Sequence, residues 1–209
     1  MTQRSRGLAL LFGGLMLAFS WIAALPNGIS GLEEQVFRAV NDLPDWIEYP
    51  GWPVMQLGAI IAVPIVAAVW IALFRDWRVP TRIALAGTTA WLIAKVIKEL
   101  ADRGRPEAFL SDVNLRPAWH GLGFPSGHTA VAFAIAVILG STLGRRWRTW
   151  IWGLAIVAGL LRIYTAAHLP LDVLGGWGLG IVVASIVELG AGRLSERRHR
   201  RSHPVTRVA

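Results

Sequence analysis

Residues Leu161–Asp172 read LRIYTAAHLPLD, a stretch that closes one apolar run and opens the next. It sets Arg162, His168 and Asp172 at the junction. Ionisable groups at membrane depth are costly, so a cluster of them marks a functional site by default. An imidazole four residues before a carboxylate reads as an oriented nucleophile or base, provided the turn is helical. Plainer roles fit the same residues. Pro170 suits the first turn of a helix, Asp172 is an acid favoured near that helix's N-terminus, and Arg162 is an interfacial anchor. What separates the two readings is whether other segments bring matching chemistry to the same side.

Around this stretch lies a chain of 209 residues, 54% hydrophobic and only 16% charged, with a mean hydropathy of +0.49. That is too apolar for an ordinary soluble domain, and 11 Trp suit aromatic belts at two membrane interfaces. The absence of Cys excludes disulfides, a thiol nucleophile and thiolate metal sites. The net charge of +8 does not point to nucleic acid, because the bases sit between apolar runs and in the tail. A single membrane domain over residues 1–209 is expected, all-α, with six transmembrane helices in one bundle. The expected spans are about 8–25, 54–74, 81–98, 126–144, 150–164 and 171–191. The first exceeds the apolar core of a signal peptide and reads as retained.

Between the first two spans, residues 26–53 carry Glu33, Glu34, Asp42, Asp45 and Glu48 against Arg38. Leu32, Val36, Phe37 and Val40 predict a short interfacial helix there. Trp46, Tyr49 and Trp52 read as interfacial anchors. Gly176 and Gly180 form a small-xxx-small pair, read as a helix-packing face.

Placing the N-terminus in the cytoplasm puts two thirds of the 21 Lys and Arg on that side, as the positive-inside rule requires. The Arg197–Arg201 run then reads as a stop signal or an anionic-lipid contact. One consequence is independent of any motif. Lys98, Arg105, His128, Arg162, His168 and Asp172 all fall at the outer ends of four spans. Arg offers a planar fork for phosphoryl oxygens and Lys a compact charge. With Ser126 capping the fourth span, the amides around Ser126 and Gly127 predict an anion site.

Lys98 through Arg105-Pro106, then Pro125-Ser126-Gly127-His128, then Arg162 through His168 to Asp172 resemble the three signature motifs of the type 2 phosphatidic acid phosphatase superfamily. The third usually begins Ser-Arg, whereas Leu161 stands here. The resemblance implies that His168 attacks phosphorus to give a phosphohistidine and that Asp172 holds its imidazole. It implies that His128 protonates the leaving oxygen. Lys98, Arg105 and Arg162, with the amides near Ser126 and Gly127, would bind phosphate. No cofactor or metal is implied; a zinc set of His120, His128, His168 and Asp172 would be opposed by the neighbouring bases.

The expected function is a lipid-phosphate phosphatase of the plasma membrane with an extracytoplasmic site. Its expected substrates are of the undecaprenyl pyrophosphate, phosphatidylglycerophosphate or phosphatidic acid class. The rivals are a phosphotransferase on the same scaffold and a non-enzymatic lipid binder or transporter. Phe109, Leu110, Trp119, His120 and Phe124 are expected to line a lip at headgroup level. Arg103 and Arg116 read as gatherers of anionic headgroups or as solvated charges, and Lys95 as a snorkelling base.

Overall fold

The computed structural model describes residues 3–25, 28–116 and 121–202, with side chains through residue 193. Among these residues there are helices and no strands. The long helices are α1 (Gln3–Ala24), α2 (Gly31–Asn41), α3 (Glu48–Gln56), α4 (Ala62–Phe74), α5 (Arg78–Ala101), α6 (Gly127–Thr142), α7 (Arg145–Tyr164) and α8 (Pro170–Ser202). Short 3₁₀ turns cover Asp45–Ile47 and Pro106–Ala108.

The bundle is built around α6. Its run Ala130–Ile138 is buried throughout, because α5, α7 and α8 all pack against it. Two glycines of α8 permit the closest of these contacts. A Cβ at Gly176 would stand 2.5 Å from the Ser126 carbonyl oxygen, and one at Gly180 would meet that of Ala130. The pair is therefore a packing face, as its spacing predicts. On its other side α8 carries α1, whose outer face exposes Leu8, Leu11, Phe12, Leu15, Phe19 and Ile22. Such a continuous apolar surface suits hydrocarbon and not water. By length and composition, Gln3–Ala24 and Pro170–Arg193 are each sufficient to cross a membrane; Ala62–Phe74 and Gly127–Thr142 are apolar but shorter.

Several boundaries differ from expectation, beginning with α1, which starts at Gln3. The run 54–74 is not one helix: α3 ends at Gln56, and turns over 57–61 precede α4. Gly58 lies against the backbone carbonyl of His128, where no side chain fits, and Pro64 belongs in the first turn of a new helix. The helix α7 starts at Arg145, so the basic cluster is helical. α8 runs past residue 191 to Ser202, since its polar continuation still favours helix.

Charges mark the two ends of the bundle. Glu188 of α8 is buried and accepts a 2.6 Å bond from Arg82 of α5, with Arg6 of α1 at 3.4 Å. The basic ends of α1 and α5 and the C-terminal half of α8 thus share one end. The motif residues occupy the other. The short helix predicted between the first two apolar runs is present as α2, capped by Ser30. The expectations for Trp119 and His120 lie outside the described residues, and so does that for the side chains of Arg197–Arg201.

Candidate active site

Each signature residue reaches the site by a local device. The last turn of α5 carries Lys98, and Asp102 then takes a left-handed conformation at φ 44° that turns the chain sharply. Arg103 and Arg105 follow in the loop. Ser126 caps α6: its hydroxyl oxygen accepts from the Thr129 amide at 3.5 Å and from the Thr129 hydroxyl at 2.8 Å. That cap brings Gly127 and His128 to the helix N-terminus, where the first amides have no acceptor one turn back. Beyond α7, Ala166 adopts φ 54°, and the amides of Ala167 and His168 both donate to the Arg162 carbonyl. His168 is thereby held in the loop between α7 and α8.

Together these devices form a cleft of about 740 Å³. It is lined by Lys98, Arg105, Gly127, His128, Arg162 and His168, and continues along Gly58, Ile60, Trp91 and Lys95. Lys98 donates to the carbonyls of Leu122 and Gly123, each at 2.7 Å. Arg105 donates to Gly121 at 3.0 Å and to Ala167, the residue before His168. Both cations therefore fasten the loops while bordering the cavity. Lys95, read as snorkelling, lies 3.8 Å from the Trp91 ring at the mouth. A second crevice of about 860 Å³ lies toward the opposite end, between Phe12, Met16, Trp152 and Trp177. It lacks the histidines and carboxylate that chemistry would need.

Asp172 stands behind His168 and is fully buried. Its Oδ2 lies 3.4 Å from His168 Nδ1, a distance without a formed hydrogen bond, and accepts the Leu169 amide at 2.9 Å. The four-residue spacing does not arise on a helix face as expected, because His168 precedes α8. Asp172 instead closes half of a capping box on the residue before Pro170. The plain reading of Asp172 as an N-terminal acid is thus correct, and the same geometry leaves it facing the imidazole. Burial, then the charges of Lys98, Arg162 and Arg105 and the neighbouring His128, hold His168 well below the ordinary imidazole range. Burial likewise lowers Arg105.

Ser126 departs from the predicted anion site. It is buried, and its amide donates to the Asp172 carbonyl at 2.9 Å. Gly127 borders the cleft in its place. Leu161 packs on Met55 and Tyr164 and over Gly51, with its side chain toward α3.

Sequence reasoning missed two participants. Arg103 is not solvated: it is 3% exposed, and its fork reaches Asp172 Oδ1 at 2.9 Å and Glu33 Oε2 at 2.7 Å. Burial works against the charge, but the Glu33 bond and the Asp172 carboxylate hold Arg103 above the ordinary arginine range. Glu33, read as one of several loop acids, is 5% exposed and also accepts the Leu171 amide at 3.0 Å. The excess of acids over bases in residues 26–53 was the available signal. Arg116 is neither solvated nor positioned for headgroups. It donates to carbonyls of Asn41, Leu43 and Tyr164 and stacks 3.7 Å from the Tyr164 ring centroid.

The chain is similar to known proteins. The chain is 33% identical over 114 residues to the bacitracin transport permease protein BcrC of Bacillus licheniformis, covering 53% of this chain and 55% of that one. It is 29% identical over 120 residues to an undecaprenyl-diphosphatase of Sulfolobus acidocaldarius, covering 55% and 56%. The chain thus spans about half the length of these two relatives. Phosphatidylglycerophosphatase B of Bacillus subtilis matches at 25% over 193 residues, covering 83% and 91%. The crystal structure of Aquifex aeolicus LpxE superposes with a TM-score of 0.72 at 26% identity, over 78% of this chain and 98% of that one. The model of the PAP2 superfamily matches residues 79–192, more than half of the chain and every signature residue in the cleft; this protein belongs to that superfamily.

Proposed function

We propose that the protein is a membrane phosphatase that hydrolyses the phosphate monoester or pyrophosphate of a lipid through a phosphohistidine. The observation that carries this reading is the cleft itself. An imidazole backed by a buried carboxylate shares about 740 Å³ with a second histidine and three cations.

His168 presents Nε2 to phosphorus while Nδ1 faces Asp172, which balances the positive charge that develops on the ring. The Nε2 lone pair forms the P–N bond as the P–O bond breaks. The departing oxygen takes its proton from His128. Lys98, Arg105 and Arg162, with the Gly127 amide, offset the charge on the equatorial oxygens. Water, activated by the His128 base so produced, then releases phosphate. Ser126 serves as the cap that sets Gly127 and His128 in place. In this reading the chain crosses the membrane six times, with α3 and α4 together forming the second span, and the chemistry lies at the extracytoplasmic headgroup level. The mouth along Ile60, Trp91 and Lys95 suits an amphipathic substrate.

The substrate classes favoured are undecaprenyl pyrophosphate, phosphatidylglycerophosphate and phosphatidic acid, two of which echo the names of relatives. Another relative is named for transport, so a non-catalytic role is the second reading. Phosphate release from these three lipids by the purified protein, with and without an alcohol acceptor, distinguishes hydrolase, phosphotransferase and binder. His168→Ala should reduce release to background while the protein elutes as a folded species. Turnover within a few-fold of wild type in that variant would exclude the assignment.

A further inference from the structure

A buried chain of charge runs from α2 to the nucleophile. Glu33 Oε2 accepts from Arg103 at 2.7 Å and Oε1 at 3.2 Å, while Oε1 also takes the Leu171 amide at 3.0 Å. The same Arg103 fork donates to Asp172 Oδ1 at 2.9 Å. Asp172 Oδ2 is pinned by the Leu169 amide and faces His168. All three ionic side chains are buried, and Phe109 covers the guanidinium at 5.8 Å. Neither Arg103 nor Glu33 lines the cleft.

We infer that Glu33 and Arg103 are positioning residues for the reaction, acting through Asp172 on His168. The inference rests on the reading that Asp172 supports His168. Two effects follow from the contacts. Arg103 fixes one carboxylate oxygen, which leaves the other aimed at Nδ1. The second effect is charge balance. An isolated Arg103–Asp172 pair would be neutral and offer little to a ring becoming positive. With Glu33 included, the three side chains carry one net negative charge behind the imidazole. Formation of the P–N bond makes the ring cationic and neutralises the cluster. Burying three charges is seldom favourable for stability alone, which fits a role in the chemistry. The rival is a clamp that only fastens α2 to the bundle.

Steady-state kinetics on dioctanoyl phosphatidic acid in detergent micelles separate these. Glu33→Gln preserves shape and removes the charge. It should lower kcat about tenfold with KM within twofold and an unchanged elution profile. Glu33→Asp should recover part of the rate. Arg103→Met should lose more, and Glu33→Gln carries the test if that variant fails to fold. On an Asp172→Asn background, Glu33→Gln should add less than a twofold loss, because both changes interrupt one path. A full tenfold loss on that background, or a Glu33→Gln kcat within twofold of wild type, overturns the inference. Wild-type turnover by Asp172→Asn itself would overturn the underlying reading of the site as well, a result distinguishable from either of those.

Discussion

Gly123 lies against Asp172: a Cβ at Gly123 would stand 2.8 Å from Oδ2, and 2.7 Å from the Gly104 carbonyl oxygen. The backbone thus walls in Oδ2, the oxygen that faces the imidazole, and Lys98 fastens the Gly123 carbonyl beside it. Gly123→Ala should displace Asp172 or the loop. A loss of kcat of about 10- to 100-fold is expected, with the helix content unchanged by circular dichroism. A wild-type rate would mean that the wall does not constrain the carboxylate.

His128 borders the same cleft as the Asp172-backed imidazole. His128→Ala should spare substrates whose leaving group departs without a proton. Comparing an activated aryl phosphate with an alkyl lipid phosphate checks this: the alkyl rate should fall by about 10²–10⁴, the aryl rate much less. Equal losses on both would remove His128 from the acid role.

As the proposed nucleophile, His168 should also be insensitive to mild acid. His168 is held below the ordinary imidazole pKa by burial and then by neighbouring cations, so it stays neutral and reactive as pH falls through 6.5. The acid limb of kcat/KM due to this group should lie below that value. Arg105→Gln removes one of those cations, raises the His168 pKa and should move the limb toward neutrality on the same substrate. A limb unmoved by the substitution would assign it to another group, such as the phosphate itself.

Charge neutralisation by Lys98, Arg105 and Arg162 predicts activity that survives EDTA. Vanadate, which adopts the trigonal-bipyramidal geometry of the transferring phosphoryl group, should inhibit competitively. Loss on chelation, restored by zinc or magnesium, would instead favour a metal site.

Ser111 and Thr149 are exposed at opposite ends of the bundle. In this cysteine-free chain, Ser111→Cys should react with an impermeant thiol reagent in intact cells. Thr149→Cys should react only after permeabilisation. The reverse pattern would place the cleft in the cytoplasm and exclude lipids whose phosphates are exposed outside.

Much of the cleft was legible because its residues lie in short motifs whose spacing survives folding. Charge counting put Lys98, Arg105, His128, Arg162 and His168 on one side, and one cleft collects all five. The helix of residues 31–41 was legible from its apolar period. Arg103 and Glu33 were not, because they are 70 residues apart and nothing local distinguishes a charge that meets a buried partner from one that meets water. The break at residues 57–61 escaped for a related reason. Hydropathy there is continuous, and the interruption answers a backbone contact between Gly58 and His128 on another helix. Ser126 was legible as a cap, but its amide engages Asp172 on α8, a contact that no spacing encodes.

The bond from the Leu171 amide to Glu33 joins residues 138 positions apart. Early in synthesis, Glu33 and Arg103 are available to pair before α8 exists, as a neutral couple that still lacks the second carboxylate. Only the arrival of Pro170–Asp172 supplies the amide and the second carboxylate that complete the set. Closure over so long a separation belongs to the late, slow part of folding. The chain is therefore expected to acquire its reactive centre as the last event of assembly, after the helices that surround it have already met.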